Sequence, residues 1–190
     1  MTTKLEAINT MLSCIGQSPL NTLEGTKSYF TIAAEKILED ETKRIQLQGW
    51  DFNSEDFYQL NPDVNNIIKV PENIVMIKFP TIYKNRYVVR EGKLYDKFEH
   101  TYSIPKPLKV SIVFYYPFED LPEVARQYAT MSAAYKFVKR ELGADKASQY
   151  VQEDLMEARV AMEQHELEIG EYTMIPAMYD GRVKDYLLWL

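Results

Sequence analysis

Leu5, Ile8, Leu12 and Ile15 lie three, four and three residues apart, which places them on one face of a helix. Gly16 stands where a left-handed cap would close that helix, and Pro19 follows three residues later. A short loop, 17–25, then turns the chain. Phe30, Ala33, Ala34, Ile37, Leu38 and Ile45 mark the apolar face of a second helix, predicted over about 26–48. Its acidic residues come first and Lys43 and Arg44 last, the order the helix dipole favours. Gly49 ends the pattern, and Trp50 just beyond it is expected to plug one end of the core.

The helical period disappears between Asp51 and Pro117. Val110, Ile112 and Phe114 alternate with Ser111, Val113 and Tyr115, the period of a strand. Tyr87 to Val89, then Arg90-Glu91-Gly92-Lys93, then Leu94-Tyr95 reads as a hairpin with glycine in its turn. Prolines at 62, 71, 80, 105 and 107 point to short edge strands and ordered loops rather than one wide sheet.

Helical spacing returns after Asp120. Leu121, Val124, Tyr128, Met131, Tyr135, Val138 and Leu142 share a face, with Pro122 suited to the first turn and Gly143 to the end. A fourth helix is predicted over about 145–169. Its apolar face is Ala147, Val151, Leu155, Ala158, Met162, His165 and Ile169, and Gly170 is expected to stop it. Residues 171–176 read as extended, Asp180-Gly181 as a turn, and the chain finishes Tyr186-Leu187-Leu188-Trp189-Leu190. The fold class is therefore α+β. A four-helix antiparallel bundle (1–50 and 119–170) carries a β-rich insertion (51–118) between helices two and three, and an extended C-terminal arm (171–190) follows.

Composition narrows the chemistry. In 190 residues, 46% are apolar and 13% aromatic, enough to build a core and to exclude long disorder. A single Cys and two His rule out a disulfide framework and a Cys/His zinc site. Cys14 sits in an apolar helical pattern and is expected to be a packed thiol. His165 falls on an apolar stripe and reads as a core or interface residue, while His100 lies in a polar loop. No phosphate-binding glycine loop, dinucleotide fingerprint or glycine-flanked serine occurs. Paired carboxylates of the glycosidase kind are available only because acidic residues are abundant. No catalytic, cofactor-binding or metal-binding residue is assigned. No apolar run is long enough to cross a membrane, and the N-terminus lacks the apolar stretch of a signal peptide.

The net charge of −6 is unevenly placed. Residues 1–118 are neutral, and the whole excess falls in 119–190. Between Lys78 and Lys109 the sign reverses, with eight basic against three acidic side chains. There Lys78, Lys84, Arg86, Arg90, Lys93, Lys97, Lys106 and Lys109 interleave with Phe79, Tyr83, Tyr87, Tyr95, Phe98 and Tyr102. A single-strand-binding sheet needs such a mixture, so a nucleic-acid-binding module built on 78–109 is one reading. A half-buried sheet with a lysine-rich outer face is the plainer one. Zones of opposite charge on one chain also suit self-association.

Taken in order, several runs resemble a known family. Leu5-Glu6-Ala7-Ile8-Asn9 leads to Ile15-Gly16-Gln17-Ser18-Pro19 and Thr22-Leu23-Glu24-Gly25. Gln48-Gly49-Trp50-Asp51-Phe52-Asn53 follows, then Leu60-Asn61-Pro62-Asp63-Val64, Leu94-Tyr95-Asp96, Asp120-Leu121-Pro122-Glu123 and Glu157-Ala158-Arg159. Together they resemble the tail tubular protein A family of short-tailed bacteriophages, the head-to-tail adaptors or gatekeepers. The resemblance spans nearly the whole chain; departures cluster in 80–107 and in the last fifteen residues.

The resemblance implies a virion structural protein made in the host cytoplasm. It implies a ring, generally of twelve copies, between the portal and the tail nozzle (a tail tubular protein B-like partner), with tail fibres at the junction. Double-stranded DNA passes through the centre, with no cofactor and no membrane. Two surfaces then become candidates. Glu153, Glu157, Glu163 and Glu166 either border the DNA channel, where acid repels phosphate and lets the duplex slide, or lie at the outer wall or against a neighbour's basic insertion. Tyr186, Leu187, Leu188, Trp189 and Leu190 form a docking element for the portal or a neighbouring subunit; the alternative folds them back on their own bundle.

Overall fold

The computed structural model describes residues 1–143 and 146–179, with side chains for 1–143 and 148–169. It divides the chain into two compact units, one made of Met1–Gln48 with Tyr116–Glu168, the other built on Gly49–Tyr115.

In the first unit a capping box opens α1 (Lys4–Ser13). Thr3 Oγ1 accepts the Glu6 amide at 3.2 Å, and the Thr3 amide donates to Glu6 Oε2 at 2.7 Å. The chain start is tied to the start of α3 (Glu123–Glu141): the amide and hydroxyl of Thr2 donate to Glu123, at 2.8 and 2.6 Å. Arg126, 7% exposed, gathers the same region by donating to the carbonyls of Leu121, Thr2 and Glu119. α2 (Tyr29–Gln46) begins three residues later than its apolar spacing predicts, because Ser28 takes the cap and accepts the Thr31 amide. Asn9 fixes the intervening loop, exchanging hydrogen bonds of 2.9 and 2.8 Å with the backbone of Leu20.

α1, α2 and α3 pack on one another pairwise. Their core joins Ala7, Ile8, Met11 and Leu12 to Ala34, Leu38 and Ile45 and to Ala129, Ala133, Phe137 and Val138. Of the face expected for α3, Leu121, Tyr128 and Val138 are buried, but the covered face is wider and shifted toward smaller residues. Ala125, Ala129, Ser132, Ala133 and Phe137 are covered, whereas Val124, Met131 and Tyr135 are half-buried and Leu142 is exposed. Small residues let two helices approach closely, so the alanine stripe sets the contact, and Val124, Met131 and Tyr135 fall at its margins.

α4 (Lys146–Tyr179) corrects two expectations. It does not stop at Gly170, and 171–179 are helical rather than extended. One glycine costs a helix only about 1 kcal/mol against alanine, so Gly170 alone is a weak stop. The core of the described residues is also built by three of the four expected helices. α4 buries only Ser148, Val151 and Met162 among its described side chains. Its apolar stripe is narrow and its flanks are acidic, the make-up of a helix that lies on a surface.

The second unit is antiparallel. β1 (Ser54–Leu60) and β2 (Ile74–Lys78) flank a central β5 (Leu108–Phe114). The alternation seen at 110–115 is that of β5, whose Val110, Ile112 and Phe114 are buried. Val113 is buried as well, so both faces of this end of β5 are covered. β3 (Tyr87–Arg90) and β4 (Lys93–Asp96) form the expected hairpin, with Arg90 opposite Lys93. Glu91 and Gly92 both have positive φ (51° and 68°), the two-residue turn whose twist matches the strands. Trp50 is buried as expected. Its amide donates to Asn53 Oδ1, and Asn53 Nδ2 donates to the Phe114 carbonyl at 2.8 Å, tying the entry of the unit to its central strand.

Candidate interaction surfaces

Among the described residues no group of His, Cys, Asp and Glu could hold a metal ion, and no helix is long and apolar enough to cross a membrane. Cys14 is half-buried, and burial pushes its thiol above the ordinary range, which makes it a poor nucleophile. His165 is half-buried and His100 exposed.

The most extensive charge cluster lies between α2 and α3. Glu41, 1% exposed, accepts from Arg44 Nε at 2.8 Å, from Ser132 Oγ at 2.5 Å and from Lys136. Burial alone would raise this carboxyl. The hydrogen bonds from Arg44, Lys136 and Ser132 outweigh it and hold Glu41 below the ordinary glutamate range. The cations keep one side in water, 45% exposed for Arg44 and 52% for Lys136, so the cluster clamps two helices and offers no cleft to a substrate.

In the basic insertion the aromatic rings are already occupied. Tyr87 packs against Phe79 and Tyr83, and Tyr95 packs edge-on against Tyr102, with ring centres 4.9 to 5.7 Å apart. The Arg90 guanidinium lies 4.3 Å from the Tyr95 ring centre. All five rings are half-buried, and of the six aromatics only Phe98 is exposed. Arg86 spends its charge on Asp96, 2.7 Å away. Asp96 is buried, which alone would raise it, but Arg86 and the amides of Phe98 and Glu99 hold it below its ordinary range. A single-strand binder needs open ring faces on which bases stack. This arrangement is instead a cross-braced hairpin whose exposed charge is carried by lysines such as Lys78, Lys84, Lys106 and Lys109. Beside it runs an open apolar groove of about 430 Å³ lined by Ile74, Met76, Phe79, Val88 and Val89.

On α4, Glu153, Glu157 and Glu163 are exposed and Glu166 is half-buried. Arg159 pairs with Glu163 at 2.8 Å. The four do not share one face: Glu153 and Glu157 lie one turn apart, and Glu166 comes nearly half a turn away from both. Sequence reading missed a second apolar stripe on this helix, Met156, Val160 and Leu167, which are 59%, 50% and 70% exposed. Its spacing of four and seven residues is legible in the sequence, but the stronger inner stripe masks it. Tyr186, Leu187, Leu188, Trp189 and Leu190 lie outside the described residues.

Among the described residues, charge and apolar area lie on exposed faces of both units. A family model for tail tubular proteins matches residues 5–172, and the chain belongs to that family. Tail tubular protein A of Klebsiella phage KP34 is 28% identical over 142 residues, covering 75% of each chain. The protein is thus a structural component of a bacteriophage tail.

Proposed function

We propose that this chain is the adaptor of its tail: a ring, generally of twelve copies, that joins the portal to the nozzle, supports tail fibres and lets double-stranded DNA pass through its centre. The observation that carries the reading is the family match, which runs through both compact units and leaves little of the chain for another activity. Uneven charge supports self-assembly, since the acidic α4 and the lysines of the insertion are exposed on the same chain. The end of the chain, 180–190, carries five large apolar or aromatic residues in its last five positions and serves as the docking arm toward the portal or a neighbour.

Native mass measurement of the full chain, alone and mixed with its portal protein, tests the reading. Closed oligomers or a portal-bound ring support it. A monomer that ignores the portal and binds DNA with a steep salt dependence would favour the nucleic-acid module on 78–109 instead.

A further inference from the structure

The second stripe on α4 is an exposed apolar seam set in acid. Met156, Val160 and Leu167 lie roughly opposite the buried Val151 and Met162, and Glu153, Glu157 and Glu163 flank them. Facing a water-filled DNA channel, such a seam would leave apolar surface in water in every copy of a ring. Facing an acidic partner, it would set like charges together.

The second unit carries the complement. Its 81–86 turn and its 97–98 turn are joined by the bond from the Lys97 amide to the Arg86 carbonyl, 2.9 Å. Ile82 on one turn and Phe98 on the other are 72% and 65% exposed, with Lys84 and Lys97 beside them in the chain. Arg86 is matched by Asp96, so the local excess belongs to the two lysines, with Glu99 as the nearby exposed acid. One patch is apolar with an acidic rim, the other apolar with a basic rim. They sit on different units of the same chain, and both are exposed within it.

We infer that the α4 seam of one copy docks on the Ile82–Phe98 patch of the next. The inference rests on the ring reading and gives that ring its lateral contact. Two unlike patches make a head-to-tail interface, which can close into a ring, whereas a two-fold dimer through either patch would put like charge on like charge.

Two charge-reversed full-length chains test it, Glu153→Lys with Glu157→Lys, and Lys84→Glu with Lys97→Glu. Each alone is expected to raise the concentration needed for half-assembly by more than about tenfold, because it sets like charges against each other. Mixed in equal amounts they should assemble as wild type does, since every junction in an alternating ring regains opposite charges. Met156→Asp with Val160→Asp should block assembly and not be rescued by either. All the altered side chains are at least partly exposed, so helical content and melting temperature should stay at the wild-type values, which circular dichroism checks. If wild type forms rings and the variants do too, or if mixing restores nothing, the interface is wrong while the ring stands. If wild type stays monomeric even with the portal, the ring reading itself falls, and this contact with it.

Discussion

Replacing Glu41 by glutamine removes one charge from the clamp between α2 and α3 and almost nothing else. The amide keeps the shape and can still accept from Ser132, but it can no longer pair with Arg44 and Lys136. A hydrogen bond to a charged group contributes about 1.5–3 kcal/mol when buried, and an exposed ion pair about 0–1 kcal/mol. Both cations are about half exposed, so each bond lies between these limits, and the relief of no longer burying a carboxylate offsets part of the loss. The net expectation is a loss of about 1–3 kcal/mol at pH 7, or a fall of ~2–12 °C in melting temperature. The sign with pH follows from the depressed folded-state pKa of Glu41. Its stabilisation is complete above the ordinary glutamate range and is lost as pH falls through the lower folded value. Thermal melts of wild type and Glu41→Gln should therefore differ at pH 7 and converge in strong acid. Equal melting temperatures at pH 7, or a gap that stays constant into acid, would refute the assignment.

Gly49 has a φ of +75°, and a Cβ there would come 3.1 Å from Val113 Cγ2 and 3.2 Å from Ser54 Oγ, so Gly49→Ala should cost at least about 1–2 kcal/mol in a denaturant melt. Asp96→Asn should loosen the hairpin above the ordinary aspartate range but make little difference once acid has protonated the wild-type carboxyl, which lies below that range; amide exchange at Phe98 and Glu99 reads this out. Truncation after Tyr179 removes Tyr186, Leu187, Leu188, Trp189 and Leu190. If they are a docking arm, the melting temperature stays and capture by the portal is lost; an unfolded truncated monomer would mean that the arm belongs to the core.

Much of this arrangement could be read from local signals. The hairpin at Arg90–Lys93, the period-two strand at 110–114 and the buried Trp50 follow from turn chemistry and alternation. Where the structure departs from the apolar period, a term that the period does not weigh decided. Ser28 moved the start of α2, because a side chain that reaches the third helical amide outcompetes a loose apolar period. On α3, periodicity picks out Leu121, Tyr128 and Val138, which are buried, but passes over the alanines at 125, 129 and 133, which close packing buries as well. Gly170 was given too much weight as a stop within a long helical run. The basic, aromatic composition of the insertion was plain in the sequence. That its rings face one another, and that Arg86 is matched by a buried Asp96, depends on contacts across the hairpin that composition does not encode. The burial of Glu41 depends on Ser132 and Lys136, which α3 supplies and which the local sequence around Glu41 does not encode.

The central claim, a ring-forming tail adaptor, is tested most directly by native mass spectrometry of the full-length chain with its portal protein. A closed oligomer near twelve copies, seated on the portal, is the predicted result. A chain that remains monomeric and unbound at every concentration and salt tested would contradict it.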